Sequence, residues 1–389
     1  MSVTAPQGFV ASGFACGIKP DGSPDLALVA TDDARGVAAA AVFTANRATA
    51  APVTVSRQHL ADTGGRAAAV VLNSGNANAA TGGAGLQHAE QTCHRVAAAL
   101  GCDTAEVLVC STGLIGIPLP FEAVAAGIPG LVESRSSTAD AAAAAARAIM
   151  TTDTRPKVTL QRAGRVTVGG MAKGAAMLAP NMATMLAVLT TDAELEPAEL
   201  GVHLAAAVRE SFNALSVDGC TSTNDTVIVL ASGRAGRPRP EAFGSALAAA
   251  CADLAGQMAA DAEGATKVIT VRVTGAADDA EARRAARRVA ESQLVKCSFF
   301  GADPYWGRVV SELGAAGVRF DLGRVSVAYG GVTVAVGGAA CDHDAPAVAR
   351  HLAGRRVEVH ADLGLGRGSG LILTNDLSPA YIDENMRTS

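Results

Sequence analysis

Met171-Ala-Lys-Gly-Ala-Ala-Met-Leu-Ala-Pro-Asn-Met-Ala-Thr-Met-Leu-Ala-Val-Leu-Thr-Thr-Asp192 is the stretch on which the reading of this chain turns. A loop rich in Gly, Pro and Asn, carrying Lys173, runs into the uncharged apolar run Met185 to Leu189. Short, apolar and bounded by polar residues, that run suits a strand buried on both faces, extending from Thr184 to Thr190. Thr184 stands at the junction of loop and strand. A hydroxyl at the first residue of a buried strand, behind a loop stiffened at Pro180, is held in one place and can act as a nucleophile if a base takes its proton.

No histidine lies near in sequence; His94 and His203 are the nearest on either side. A threonine has another base available in its own α-amine, which exists once the peptide bond before it is cut. A free α-amine has a pKa of about 7.7–8.0, suited to general-base work near neutrality. Lys173 adds a positive charge that raises the neutral, proton-accepting fraction of that amine. Ala183 is small and leaves its carbonyl open to the Thr184 hydroxyl. The expectation is self-cleavage between Ala183 and Thr184, giving an N-terminal threonine. The bland alternative is a β-branched residue at an ordinary strand start.

Across nearly the whole chain the sequence resembles the ornithine acetyltransferase (ArgJ) family of arginine biosynthesis. The resemblance is carried by Val3-Thr-Ala-Pro-Gln-Gly-Phe9, Asn73-Ser-Gly-Asn-Ala-Asn78, Cys110-Ser-Thr-Gly-Leu-Ile-Gly116 and Ala148-Ile-Met-Thr-Thr-Asp153. The Lys173 to Asp192 segment, Thr221-Ser-Thr-Asn-Asp-Thr226, Asp261-Ala-Glu-Gly-Ala-Thr-Lys267, Leu294-Val-Lys296 and Asp303-Pro-Tyr-Trp-Gly-Arg308 complete it. It implies transfer of acetyl from N2-acetylornithine to glutamate through an acetyl-threonine on Thr184, releasing ornithine and N-acetylglutamate. Some members also take acetyl-CoA as donor, so acetyl-CoA is a candidate co-substrate; no cofactor is implied.

The family's oxyanion donors fall on Thr112 and Gly113, and a hydroxyl with a backbone N–H suits a developing O⁻. Its substrate contacts fall on Thr151 (with Thr152 as the adjacent alternative), Lys173, Thr184, Glu263 and Asn385. The last contact, at the C-terminus, falls on Ser389 or Thr388. The family's Asp-Pro-Asn-Trp-Gly-Arg has Tyr305 in place of the Asn, and Cys297-Ser-Phe-Phe300 follows Leu294-Val-Lys296 where Thr-Ala is usual. The resemblance also implies an assembly of two α and two β chains. Cleavage would give an α chain, 1–183, and a β chain, 184–389, with a C-terminal domain from about Asp279 to the end.

With 49% apolar and 18% charged residues, the chain has enough core for a compact enzyme, and its length suits two or three domains. The net charge of −5 and the lack of a basic stripe argue against nucleic acid or anionic membrane as partner. No export signal and no long apolar span is evident. The eight cysteines (Cys16, Cys93, Cys102, Cys110, Cys220, Cys251, Cys297, Cys341) form no CxxC pair and read as buried thiols of a cytoplasmic protein, with no metal site expected.

Strand-like stretches cover Ala68–Asn73, Val107–Ser111, Arg165–Met171, Thr226–Ser232, Lys267–Gly275, Arg324–Tyr329, Val332–Val336, Arg356–Asp362 and Leu371–Asn375. Helical patterns cover Leu86–Leu100, Phe121–Ala126, Thr138–Met150, Pro197–Leu215, Pro240–Asp261 and Asp279–Val295. Their irregular grouping suggests an α+β layered sandwich of sheets and helices rather than a doubly wound fold. The resemblance implies the same, an ArgJ/DmpA-like sandwich with a smaller C-terminal α/β domain. Gly364-Leu-Gly-Arg-Gly-Ser-Gly370 lacks dinucleotide-loop spacing and reads as a hairpin turn. Thr221 to Asp225 reads as an Asx/ST turn beside the site, and His343 as a solvated loop residue. Two other functions remain in view: an N-terminal-threonine amidase or aminopeptidase that gives its acyl group to water, and a paralogue in a secondary pathway or one that only senses an amino acid.

Overall fold

The structure is a computed structural model and describes residues 2–177 and 185–386; Ala183, Thr184, Thr388 and Ser389 lie outside the described residues. The chain divides into two units. The first holds residues up to Asn213 together with Cys220–Met258; the second holds Ala214–Gly219 and everything from Ala259.

Unit 1 opens with strands β1 (Phe9–Phe14), β2 (Leu26–Thr31) and β3 (Val37–Phe43), then helix α1 (Ala51–Asp62). Strands β4 (Arg66–Ala67) and β5 (Ala69–Asn76), helix α2 (Gly82–Leu100) and strand β6 (Val107–Leu114) follow. Next come α3 (Phe121–Glu133), α4 (Ala139–Ala148), β7 (Lys157–Ala163), β8 (Val166–Lys173) and β9 (Leu186–Ala193). Helix α5 (Pro197–Arg209), strand β10 (Thr226–Gly236) and helix α6 (Pro240–Ala260) complete the series, the unit boundary falling after Met258.

Two mixed sheets stack face to face, one ordered β1-β2-β5-β6 and the other β4-β3-β10-β9-β8-β7. One shared core joins them: Val29, Leu72 and Leu108 from the first sheet meet Met171, Leu186, Val188 and Ile228 from the second, with α4 packed among them. The outer face of the first sheet is covered by α1, α2 and α3 through Leu28, Val71, Cys93, Val96, Val109 and Ile128. On the second sheet the pleat decides the partner of each residue. Ala39 faces the shared core, while Ala40 faces Gly201 of α5. The order is helix, sheet, sheet, helix, which is the layered α+β architecture expected.

Every residue of β9 is buried, as a strand covered on both faces requires. Helix α3 runs past its expected end at Ala126 to Glu133, straight through Pro129. Gly127 and Gly130 let it do so at close quarters: an added Cβ would come within 2.5 Å of Cys16 and 2.7 Å of Phe14. The cysteines are free thiols, but Cys220 and Cys297 are exposed, so uniform burial was a misreading.

Unit 2 is built on one sheet. Its elements are β11 (Val268–Ala276), α7 (Asp279–Glu291), α8 (Gln293–Phe300), α9 (Trp306–Gly314), β12 (Ser326–Tyr329), β13 (Val332–Val336) and β14 (Ala339–Ala340). Helix α10 (Ala345–Ala353), strands β15 (Arg356–Asp362) and β16 (Gly368–Asn375), and helix α11 (Pro379–Asn385) follow. The expected helix Asp279–Val295 is two helices. Ser292 ends α7 and caps α8, its hydroxyl accepting from the Val295 N–H.

The glycine run Gly364 to Gly370 is not a hairpin turn. The sheet order is β14-β13-β12-β15-β11-β16, so β15 and β16 lie on opposite sides of β11 and the run crosses its end. The Leu365 and Gly366 amides both donate to the Gly275 carbonyl. Helix α7 then presses its backbone onto β16: a Cβ at Gly370 would lie 2.5 Å from the Arg283 nitrogen, and one at Gly368 2.2 Å from Asp278. These glycines serve close helix packing.

Candidate active site

In unit 1 the C-terminal ends of the parallel strands β5 and β6 carry the first group of expected site residues. Ser74 pairs with Thr112 and Gly75 with Gly113, and the register breaks at Asn76. Gly113 has φ of +133°, and a Cβ there would lie 2.3 Å from the Gly75 carbonyl carbon. Only glycine fits both constraints. The strand ends are braced by buried amides. The Ser111 hydroxyl donates to Asn73 Oδ1 at 2.5 Å, and Asn224 Nδ2 donates to the Ala77 and Ser111 carbonyls at 2.6 and 2.9 Å.

Across the sandwich, the last residue of β8 reaches this point. Lys173 Nζ donates to Thr112 Oγ1 at 3.2 Å, and both side chains are buried. A hydroxyl that accepts from an ammonium keeps its own O–H free to donate. Thr112 can therefore offer a proton to a developing oxyanion, with a positive charge directly behind it.

Asp153 organises the loop beside Lys173. Its Oδ2 accepts the Thr151 N–H at 3.1 Å, and its Oδ1 accepts the Gly174 N–H at 2.8 Å and Lys157 Nζ at 2.5 Å. Burial works to raise its pKa, but Lys173, Lys157 and the Gly174 amide outweigh it and hold the carboxyl below the usual range. Thr151 is thus tied by its backbone, whereas Thr152 is exposed. One layer further out, Asp25 accepts four backbone N–H groups, from Cys16, Gly17, Ile18 and Lys19, and Lys19 Nζ donates to the Met150 carbonyl.

Asp225 was expected only as the last residue of a turn beside the site, with no role of its own. It is fully buried where the hydroxyl-rich segment meets β10; its Oδ1 accepts the Met185 N–H at 2.8 Å, and its Oδ2 has no hydrogen-bond partner among the described residues. Burial pushes its pKa well above the carboxylate range, with the Met185 amide and Lys173 pulling the other way. The turn expected at Thr221 to Asp225 is present, with the Asn224 N–H donating to Ser222 Oγ. The available signal was an Asp directly before an apolar strand, where a charge is costly.

In unit 2, Asn385 and Glu263 are brought together. Asn385 Nδ2 donates to Glu263 Oε2 and to the Tyr381 carbonyl, each at 2.9 Å. Gly264 makes room for the start of α11, since a Cβ there would fall 2.2 Å from the Tyr381 nitrogen. Tyr305 is on the surface of this unit, under the Arg308 guanidinium. Exposed His343 fits the solvated loop expected.

Sequence comparison extends the geometry to known proteins. The sequence model of the ArgJ family matches residues 10–388. The arginine biosynthesis bifunctional protein ArgJ of Mycobacterium leprae is 48% identical over 392 residues, covering 98% of this chain and 94% of that protein. Its namesake in Thermobifida fusca is 47% identical over 386 residues, covering 99% of each. Among solved structures, a chain of ornithine acetyltransferase from Mycobacterium tuberculosis, complexed with ornithine, is 48% identical with a TM-score of 0.44, covering 46% of this chain and 94% of that one. With the match spanning almost its full length, this chain belongs to the ArgJ family.

Proposed function

We propose that this protein moves acetyl from N2-acetylornithine to glutamate through an acetyl ester on Thr184, after cutting itself between Ala183 and Thr184. The freed α-amine of Thr184 takes the proton of its own hydroxyl, and the hydroxyl oxygen attacks the acetyl carbonyl. The O⁻ that develops is received by the Thr112 hydroxyl and the Gly113 N–H. Ornithine leaves with the proton, and the glutamate amine then attacks the ester to give N-acetylglutamate. Thr151, Glu263, Asn385 and Ser389 contact the amino-acid ends of the substrates, with Lys173 suited to a carboxylate and Glu263 to an ammonium.

The observation that carries this reading is the buried Lys173–Thr112 contact beside Gly113, at the mouth of the strand that follows Thr184. Relatives named for arginine biosynthesis, at nearly half identity over almost all of the chain, support the substrate class. The reading extends to two α and two β chains in a cytoplasmic assembly without a cofactor, with acetyl-CoA as a second donor. Among the described residues no helix is long and apolar enough to cross a membrane.

The test is to incubate purified protein with N2-acetylornithine, with and without glutamate, and to follow ornithine, acetate and N-acetylglutamate. Ornithine release that depends on glutamate, with matching N-acetylglutamate, is expected. Release of acetate at the same rate without glutamate would make the protein a hydrolase instead. Acetyl-CoA with glutamate alone checks the second donor.

A further inference from the structure

Lys19 is a half-buried cation of unit 1 that the transfer chemistry above does not use. Its backbone is fixed before its side chain begins, because the fully buried Asp25 carboxylate accepts the N–H groups of Cys16, Gly17, Ile18 and Lys19. The stem then passes over Gly75, the register partner of Gly113. A Cβ on Gly75 would come within 2.9 Å of Ile18 Cγ2 and 3.3 Å of Lys19 Cγ. At the tip, Nζ donates to the Pro24 carbonyl at 2.9 Å and to the Met150 carbonyl at 2.8 Å. Burial draws the Lys19 pKa down, while Asp25, Asp21 and Asp153 pull back toward the charged form.

The Met150 carbonyl belongs to the same peptide group as the Thr151 N–H, and that N–H donates to Asp153 Oδ2 at 3.1 Å. One planar amide is therefore held on both edges, its oxygen by an ammonium and its N–H by a carboxylate. Tilting the plane would break both contacts. A fixed plane fixes the backbone angles on either side of it, and with them the direction in which the Thr151 side chain leaves the chain. The segment also enters this grip from an anchored point, since Ser74 Oγ donates to the Ala148 carbonyl at 2.6 Å where α4 ends.

We propose that Lys19 is a positioning residue for the substrate: together with Asp153 it clamps the Met150–Thr151 peptide and so aims the Thr151 side chain. This rests on Thr151 being a substrate contact, as in the function proposed above. A lysine that did no more than neutralise carbonyls beyond the C-terminal end of α4 would add to stability and leave substrate affinity alone.

A double-mutant cycle on the whole protein separates these roles, with exchange from N2-acetylornithine measured at saturating glutamate. Lys19→Met and Thr151→Val are each expected to raise the KM for N2-acetylornithine about tenfold, with kcat within about twofold of wild type. The double variant is expected to stay near tenfold, where independent effects would multiply to about a hundredfold. KM does not depend on the fraction of protein that is folded, so a stability defect lowers only the apparent kcat. Wild-type KM in Lys19→Met, or a double variant near a hundredfold, overturns the clamp and leaves the proposed function standing. Lys19→Gln, an uncharged arm one atom shorter, is judged by the same criteria if Lys19→Met does not fold. Wild-type KM in Thr151→Val removes Thr151 from the substrate contacts and the clamp with it. A wild-type chain that transfers no acetyl to glutamate refutes the proposed function itself.

Discussion

Lys173 and Thr112, 61 residues apart in sequence and on different sheets, meet at 3.2 Å in the interior of unit 1. The contact turns the Thr112 hydroxyl into an acceptor on one side and leaves its proton free on the other. A cation and an oriented donor are thereby fixed before any substrate arrives, which is what stabilising a developing oxyanion requires.

Thr112→Val keeps the shape of the side chain and removes the donor. The rate of acetyl exchange between N2-acetylornithine and glutamate is expected to fall by about 10²–10³ while the melting temperature changes little. An unchanged rate would take Thr112 out of the chemistry.

Gly113→Ala should act through the backbone. The added methyl would meet the Gly75 carbonyl carbon at 2.3 Å, at a φ of +133° that L residues avoid. A loss of roughly 3 kcal/mol in urea-unfolding stability is expected, together with loss of activity. Full stability in this variant would show that β5 and β6 can part without cost.

Asp153→Asn removes the carboxylate from buried Lys157 and from the field of Lys173. Breaking a buried pair from one side costs about 3–5 kcal/mol, and denaturant unfolding at pH 7 should register it. Because the folded carboxyl has a lowered pKa, its contribution is full above the usual carboxylate pKa and fades only as pH falls through the folded value. The gap between wild type and variant should therefore close in acid. A gap that stays constant down to acid pH would contradict the ion pair.

Cys251 gives the opposite sign. Burial pushes its thiol up to about 12, against about 9 when unfolded. Its contribution is complete below pH 9 and is lost as pH rises toward the folded value. At pH 10.5 that loss amounts to about 2 kcal/mol. Unfolding of wild type and Cys251→Ala, compared at pH 7.5 and 10.5, should show the difference between them shrinking in alkali.

The strands that the sequence announces are those whose apolar runs are dense in Val, Ile and Leu. Val332–Val336 and Arg356–Asp362 have the expected bounds, and β9 and β10 lie close to theirs. Val37-Ala-Ala-Ala-Ala-Val-Phe43 gives no such signal, because a run of alanines favours a helix in isolation. It becomes a strand because small side chains suit the narrow space between the shared core and α5. The hydroxyl and glycine of Ser111-Thr-Gly113 could be read from a motif, but the meeting of Thr112 with Lys173 is a product of sheet stacking that no spacing encodes. Asp225 is harder still, since its character comes from full burial and from an Oδ2 without a hydrogen-bond partner among the described residues, which no sequence pattern encodes.

Lys173 and Leu186 are register partners on neighbouring antiparallel strands, so the polypeptide leaves and re-enters one sheet at the same place. Severing the chain between them would leave both fragments stitched along the rest of that ladder and buried in a common interior. Native gel filtration or light scattering would then be blind to the scission, and dilution would not part the pieces. Their separation would amount to unfolding, so maturation of this kind is irreversible in practice and spares the enzyme any search for its other half.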